Sequence, residues 1–426
     1  MSRQPHCRRF GALMLAACVA SWTAIASGDD VVAADAPLAP RRYELGAFPI
    51  LAGSSDIGFQ FGAAATLSRF YDAAFPYMWN VDLLLSASVK DDSLGFRLVQ
   101  QSHVLRLDAP DFFSTKIRLD TRISYQRTIN AGYYGIGNAE AAAPYTYEYL
   151  QQEGRIRSIG RIRTGAPRLD FAFAANLRYE APGTPAPGTP YANSKLAHDL
   201  SASGPGATPI AIGIQSALLG GLAAGMMFDT RDSEFVTTRG LFYQVGIGAT
   251  VGSEEQVKYG EAAAVLAHYA PIKGPFSFAS RFVASFEVGR VPFYDLAQGG
   301  VFEPQYLLGG ETGVRGVPQG RYAGRIKMIS NLEVRGTPFP RFTILGQRFR
   351  IGTTVFFDAG RVWSDYAVIS PADGNTLGLK YGVGGGLFIQ WGEAAIFRFE
   401  AAYSPDAVSE NPSLPLGIYV SDGLMF

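Results

Sequence analysis

Cysteine is nearly missing from this chain. Its 426 residues include two, Cys7 and Cys18, both close to the N-terminus. The rest of the chain can form no disulfide and no thiolate metal site, so the fold must close by other means. Histidine is almost as scarce, and past the first residues only His103, His198 and His268 occur. None sits in a recognisable serine–histidine–aspartate setting, so no catalytic residue is expected. No His/Cys cluster points to a metal. The glycines Gly382, Gly384, Gly385 and Gly386 fall in a strand pattern with no helix behind them, so no cofactor is expected. A surplus of charge is also missing, with 37 basic and 37 acidic side chains. That balance excludes the basic surface of a nucleic-acid partner. Lysine is rare beside arginine, whose multi-donor fork suits crowded ion pairing such as a barrel lumen.

Long apolar runs are limited to two. Residues 209–228 approach the ~20 residues that a spanning helix needs. Gly213, Gly220, Gly221 and Gly225 interrupt the run, and Asp229 and Arg231 follow it. Its second half reads as a strand. The other run, Phe10 to Ile25, follows Arg3, Arg8 and Arg9 and precedes Ala26. This is the pattern of a secretory signal peptide over residues 1–26. The stretch Leu15-Ala16-Ala17-Cys18 also has the form of a lipobox, but the apolar run continues beyond it. Residues 27–42 then form a short periplasmic segment, too small to bury a core of its own.

From Tyr43 onward, apolar and polar residues alternate in strand-length stretches, while mean hydropathy stays near zero. Alternation is expected where one face of each strand meets lipid and the other meets water. Sixteen spans emerge: 43–51, 56–69, 76–89, 94–108, 111–128, 145–163, 168–180, 212–228, 239–250, 258–270, 276–290, 325–336, 347–361, 378–392, 395–404 and 416–426. The long connections are 129–144, 181–211, 291–324, 362–377 and 405–415, all odd-numbered. Long loops on one side and tight turns on the other predict an all-β, transmembrane antiparallel β-barrel over 43–426 with both termini periplasmic. The Pro/Gly-rich stretch 181–190 reads as an exposed, mobile loop. Ile418, Val420, Leu424 and Phe426 alternate along the last span, as in the C-terminal signal of an outer-membrane barrel, with Asp422 interrupting.

Within the thirteenth span, Arg348, Arg350, Gly352, Thr354, Phe356, Asp358 and Gly360 share one face. Phe349, Ile351, Thr353, Val355 and Phe357 share the other, which must meet lipid. Asp358 therefore points into the lumen, and the twelfth span aims Glu333 the same way.

Four local motifs stand in order along the chain: Tyr133-Tyr134-Gly135-Ile136-Gly137-Asn138, then Asp229-Thr230-Arg231-Asp232 with Thr238-Arg239-Gly240. Next come Gly309-Gly310-Glu311-Thr312-Gly313-Val314-Arg315-Gly316 and Phe356-Phe357-Asp358-Ala359-Gly360. Together they resemble the barrel of the bacterial surface-antigen family, the BamA- and TamA-like outer-membrane assembly proteins. The resemblance is strongest over 300–426.

It implies that the Val-Arg-Gly loop folds back inside the barrel, with Arg315 paired to Asp358 and Glu333 nearby. Gly313 and Gly316 would let the tip turn tightly. A buried arginine without a counter-charge would cost several kcal/mol. The resemblance also implies a weak seam between the first and last strands. Pro49, which lacks a ladder donor, fits such a seam and equally fits an ordinary strand end.

The periplasmic POTRA modules that usually precede such barrels find no room here, which argues against client insertion by this chain alone. The implied role is membrane biogenesis or transport among outer-membrane lipid, with a separate periplasmic partner. The alternative is a passive pore or a loop-mediated surface antigen.

Overall fold

A computed structural model describes residues 41–426 except 55–56, 72–73, 93–94, 111, 113–115, 140–144, 165, 167, 186, 202–209, 235, 255, 345–346, 368–369, 375, 392–394, 407–415 and 423. The expected signal peptide and almost all of the segment 27–42 lie outside the described residues. What is described is a closed antiparallel β-barrel of sixteen strands.

The strands follow in chain order. They are β1 Arg41–Ser54, β2 Gly58–Tyr71, β3 Ala74–Asp92, β4 Gly95–Ala109, β5 Ile117–Gly132 and β6 Glu148–Arg163. Then come β7 Leu169–Glu180, β8 Ala217–Asp229, β9 Gly240–Gly252, β10 Lys258–Pro271 and β11 Phe276–Arg290. The last five are β12 Ile326–Gly336, β13 Gln347–Trp363, β14 Lys380–Trp391, β15 Ala395–Tyr403 and β16 Leu416–Asp422. A short piece, Phe342–Ile344, carries the β12 side of the ladder along the start of β13. Residues 209–228 end as β8, and no helix among the described residues is long and apolar enough to cross a membrane.

Alternation assigns the two faces. On β13, Val355 and Phe357 are exposed while Phe356 and Asp358 are buried. On β5 and β6, Ile123 and Ile156 are exposed in the same sense. The exposed set forms the apolar outer band that hydrocarbon covers, and the polar set lines the interior.

One expectation needs correction. The last strand stops at Asp422 instead of running to Phe426. Phe426 leaves the sheet and packs beside Tyr269 of β10, with ring centroids 6.3 Å apart. Arg335 of β12 donates from Nη1 to the Phe426 carbonyl at 2.9 Å. Leu424 likewise lies outside any strand. The alternation of apolar residues therefore continues past the point where the ladder ends; polar partners on the inner wall draw the terminus away from lipid. Beyond the Pro/Gly-rich stretch 181–190, the seventh connection has regular structure of its own. It carries a short helix, α1 Lys195–Ser201, whose Leu196 and Asp199 are buried. Tyr133 donates to Asp199 at 2.9 Å, which ties the helix to the fifth connection. That dock satisfies a buried carboxylate that would otherwise keep the loop in solvent.

Candidate functional site

The connection 291–324 joins β11 to β12 and is nearly all buried. Its residues Leu307, Leu308, Val314, Val317 and Tyr322 cluster with Val283 of β11, Ile329 of β12 and Val362 of β13. Phe302 packs with Ile159 of β6, Ala172 and Ala174 of β7, and Met227 of β8. A two-residue ladder, Gln298–Gly299 against Gln305–Tyr306, stiffens it. Gly137 of the Tyr-Tyr-Gly-Ile-Gly-Asn stretch bridges to Ala323, so that motif packs on the same connection.

Arg315 is fully buried. Its Nε donates to Asp358 Oδ2 at 2.7 Å, and its Nη2 donates to Oδ1 at 3.0 Å. This bidentate pair is the strong, directional form of an arginine–carboxylate contact. Nη1 lies 2.8 Å from Glu333 Oε1 on β12 and 3.1 Å from Glu400 Oε2 on β15. The guanidinium carbon sits 3.4 Å from the centroid of the Phe356 ring, a close cation–π contact. Three carboxylates on three strands thus converge on one cation. Glu400 is the member that sequence reasoning missed. It lies on the buried face of β15, and only the ladder Gly386↔Glu400 brings it beside β13 and β14.

The neighbours hold the tip in place. Asn331 donates to both Gly313 O and Asp358 Oδ1, each at 2.9 Å. Arg281 donates to Thr312 O at 2.5 Å. Gly316 has φ +91, a left-handed conformation that glycine tolerates, and its N–H donates to the Tyr419 hydroxyl of β16 at 2.9 Å. Gly360 stands opposite Ile329 in the β12–β13 ladder, two residues from Asp358, where any side chain would crowd that isoleucine.

A second anchor of opposite polarity holds the start of the connection. Asp295 accepts from Arg178 of β7 at 2.7 and 2.6 Å and from the Tyr259 hydroxyl of β10 at 2.8 Å. Lys327 of β12 donates to Leu296 O at 3.2 Å and Gly324 O at 3.0 Å. Nothing in the local sequence around Asp295 marks it.

The β1–β16 junction is short. Among the described residues it pairs only Gly53↔Val420 and Ser54↔Tyr419, whereas β1 and β2 pair along their whole length, from Arg41↔Tyr71 to Ser54↔Gly58. Pro49 is exposed in β1, opposite Ala63 of β2, and below that brief contact with β16.

A closed sixteen-strand barrel with an apolar outer band defines an integral outer-membrane protein. Residues 93–413 match the Omp85 superfamily domain, and the chain belongs to that family. Among solved structures it is similar to BamA from Haemophilus ducreyi lacking POTRA domains 1–3, at 15% identity and a TM-score of 0.55. That match covers 90% of this chain and 70% of that shortened BamA chain. It is also similar to CdiB from Acinetobacter baumannii, at 12% identity and a TM-score of 0.52. There it covers 90% of this chain and 65% of the CdiB chain. CdiB from Escherichia coli gives 12% identity and a TM-score of 0.53, over 91% of this chain and 63% of that one. The chain thus spans just under two thirds of the CdiB chains. No curated protein matches it.

Proposed function

We propose that this barrel works in outer-membrane biogenesis or transport, translocating or inserting protein or lipid with a separate periplasmic partner and the surrounding outer-membrane lipid. The connection 291–324 acts as an inward-folded plug, locked by Arg315 on Asp358, Glu333 and Glu400. The short β1–β16 ladder at Pro49 is the seam that parts sideways. Both termini face the periplasm, and the barrel performs no chemistry of its own.

The observation that carries this reading is Arg315. A fully buried cation held by acids of three strands fixes one conformation of the loop tip, and the loss of that set together with the Asp295–Arg178 anchor would release the connection. BamA and CdiB share the fold, which supports the general class of activity.

Planar-bilayer conductance tests the plug. Deletion of residues 303–322 is expected to raise conductance well above that of the intact barrel. Equal conductance in the two would reject an inward plug. For the assembly role, the barrel with its co-purified periplasmic partner is expected to speed insertion of an unfolded outer-membrane protein into liposomes. Insertion no faster than in empty liposomes would reject it and leave a passive pore.

A further inference from the structure

Most arginines on the inner wall of β4–β7 own a carboxylate. Arg106 lies 2.5 Å from Asp120, Arg118 2.8 Å from Asp108, Arg155 2.7 Å from Glu153 and Arg161 3.0 Å from Asp170. Arg122 of β5 and Arg157 of β6 differ. Neither makes a hydrogen bond or ion pair with any described residue. They are direct register partners in the β5–β6 ladder. Both point inward, since Ile123 and Ile156 beside them are exposed on the outer face.

Like charges placed directly opposite across a ladder destabilise it. Arg155, two residues along β6, adds a third positive charge to the same spot, where it and Arg122 both repel Arg157. The Nε groups of Arg122 and Arg155 are buried without an acceptor. An unpaired buried donor is costly, and two in one place beside the unpaired Arg157 call for an anion.

The surroundings leave room for one. Arg155, Arg157 and Asn176, with Glu261, Glu287 and Asp295, help line a cavity of about 50 Å³, and Arg122 is the register partner of Arg157 outside that lining. A water occupies roughly 30 Å³, so a small oxyanion fits with modest side-chain movement. Three of the acids near this spot are already taken: Asp295 by Arg178, Glu287 by Lys327 and Asp120 by Arg106. Glu261 lines the cavity and Glu303 of the connection approaches Arg157. Glu303 is exposed, so it offsets Arg157 only through solvent. Solvent also reaches this wall, because Arg106 and Asp82 keep 32% and 37% of their side-chain surface.

We propose that Arg122, Arg155 and Arg157 form a lumenal receptor for a phosphate-type oxyanion. The planar guanidinium fork matches two phosphate oxygens at once. The phosphate could be free in solution or carried on a lipid headgroup, and the two sources separate experimentally.

The intact barrel is refolded in detergent and its melting is followed in chloride buffer of constant ionic strength. Added inorganic phosphate is expected to raise the melting temperature by about 2–4 °C at saturation. A rise with dihexanoylphosphatidylglycerol but none with inorganic phosphate assigns the headgroup source. The R122Q/R157Q double variant is expected to lose either rise. Without phosphate it should melt no lower than wild type, because the repulsion is gone. The single variant R122Q keeps the comparison available should the double variant fail to refold, and it should lose most of the rise. The R122K/R157K variant should keep a reduced one. An equal rise in wild type and R122Q, or no rise with either compound, overturns the receptor. So does a marked loss of stability in R122Q without phosphate, since that would make the arginine an internal structural partner.

Discussion

Arg315 shows how one side chain concentrates stability. It is buried with three carboxylates around it, so replacing it leaves those acids facing one another in a dry site. Arg315→Ala is expected to cost about 3–5 kcal/mol, the range for breaking a buried pair by removing one partner. A lowered urea midpoint of the refolded barrel measures this, and an unchanged midpoint would contradict it. Arg315→Lys should recover only part of the loss, because an ammonium cannot reproduce the bidentate fork on Asp358. Asp358 and Glu333 were legible in the sequence as inward members of an alternating pattern. Glu400 was not, since no local feature separates it from any other inward acid.

A turn-located carboxylate makes a prediction in pH. Burial works against the charge of Asp232, but the hydroxyl and amide of Thr238 and the amide of Arg239 outweigh it and hold the pKa below the usual value. A lowered folded pKa means that the contribution is complete above the unfolded pKa, about 3.9, and fades as pH falls through the folded value. The protection factors of the Thr238 and Arg239 amides, measured against their intrinsic exchange rates, should hold near neutral pH and fall only in acid. Asp232→Asn should flatten that dependence, and protection factors that are no higher near neutral pH than in acid would rule the cap out.

At the level of the strand, periodicity was a good guide to where each element lies and a poor guide to where it ends. β11, β12 and β15 fall within a residue or two of their expected spans because turn residues bound them on both sides. β16 was over-read by four residues. The apolar rhythm through Leu424 and Phe426 persists, but Arg335 and Tyr269 across the barrel capture the terminus. The seam is another property of pairing. Among the described residues, β1 pairs with β16 only at Gly53 and Ser54, whereas β10 is paired along its length on both sides. Hydrogen exchange should therefore show alternating fast and slow amides in β1 and uniform protection in β10. Uniform protection in β1 would mean that the seam is as tight as the rest of the barrel.

The whole molecule sets how the connection 291–324 is held. Its two anchors, Asp295 on Arg178 and Arg315 on Asp358, engage β7 at one site and β13 at the other. Release of one should leave the other in place. Asp295→Asn and Arg315→Ala are each expected to change conductance little, while the double variant approaches that of the 303–322 deletion. A single variant that opens fully would show that the remaining anchor cannot hold the connection alone. The sequence by itself determined the barrel, its number of strands, its two faces and the inward aim of Asp358 and Glu333. These follow from a period of two read against lipid and water, which is local information. Tertiary structure alone decided that Glu400 joins Arg315, that Asp295 meets Arg178, that Phe426 turns inward and that Arg122 stands opposite Arg157. Each of these depends on ladder register or on a contact across the lumen, and neither is written in the spacing of neighbouring residues.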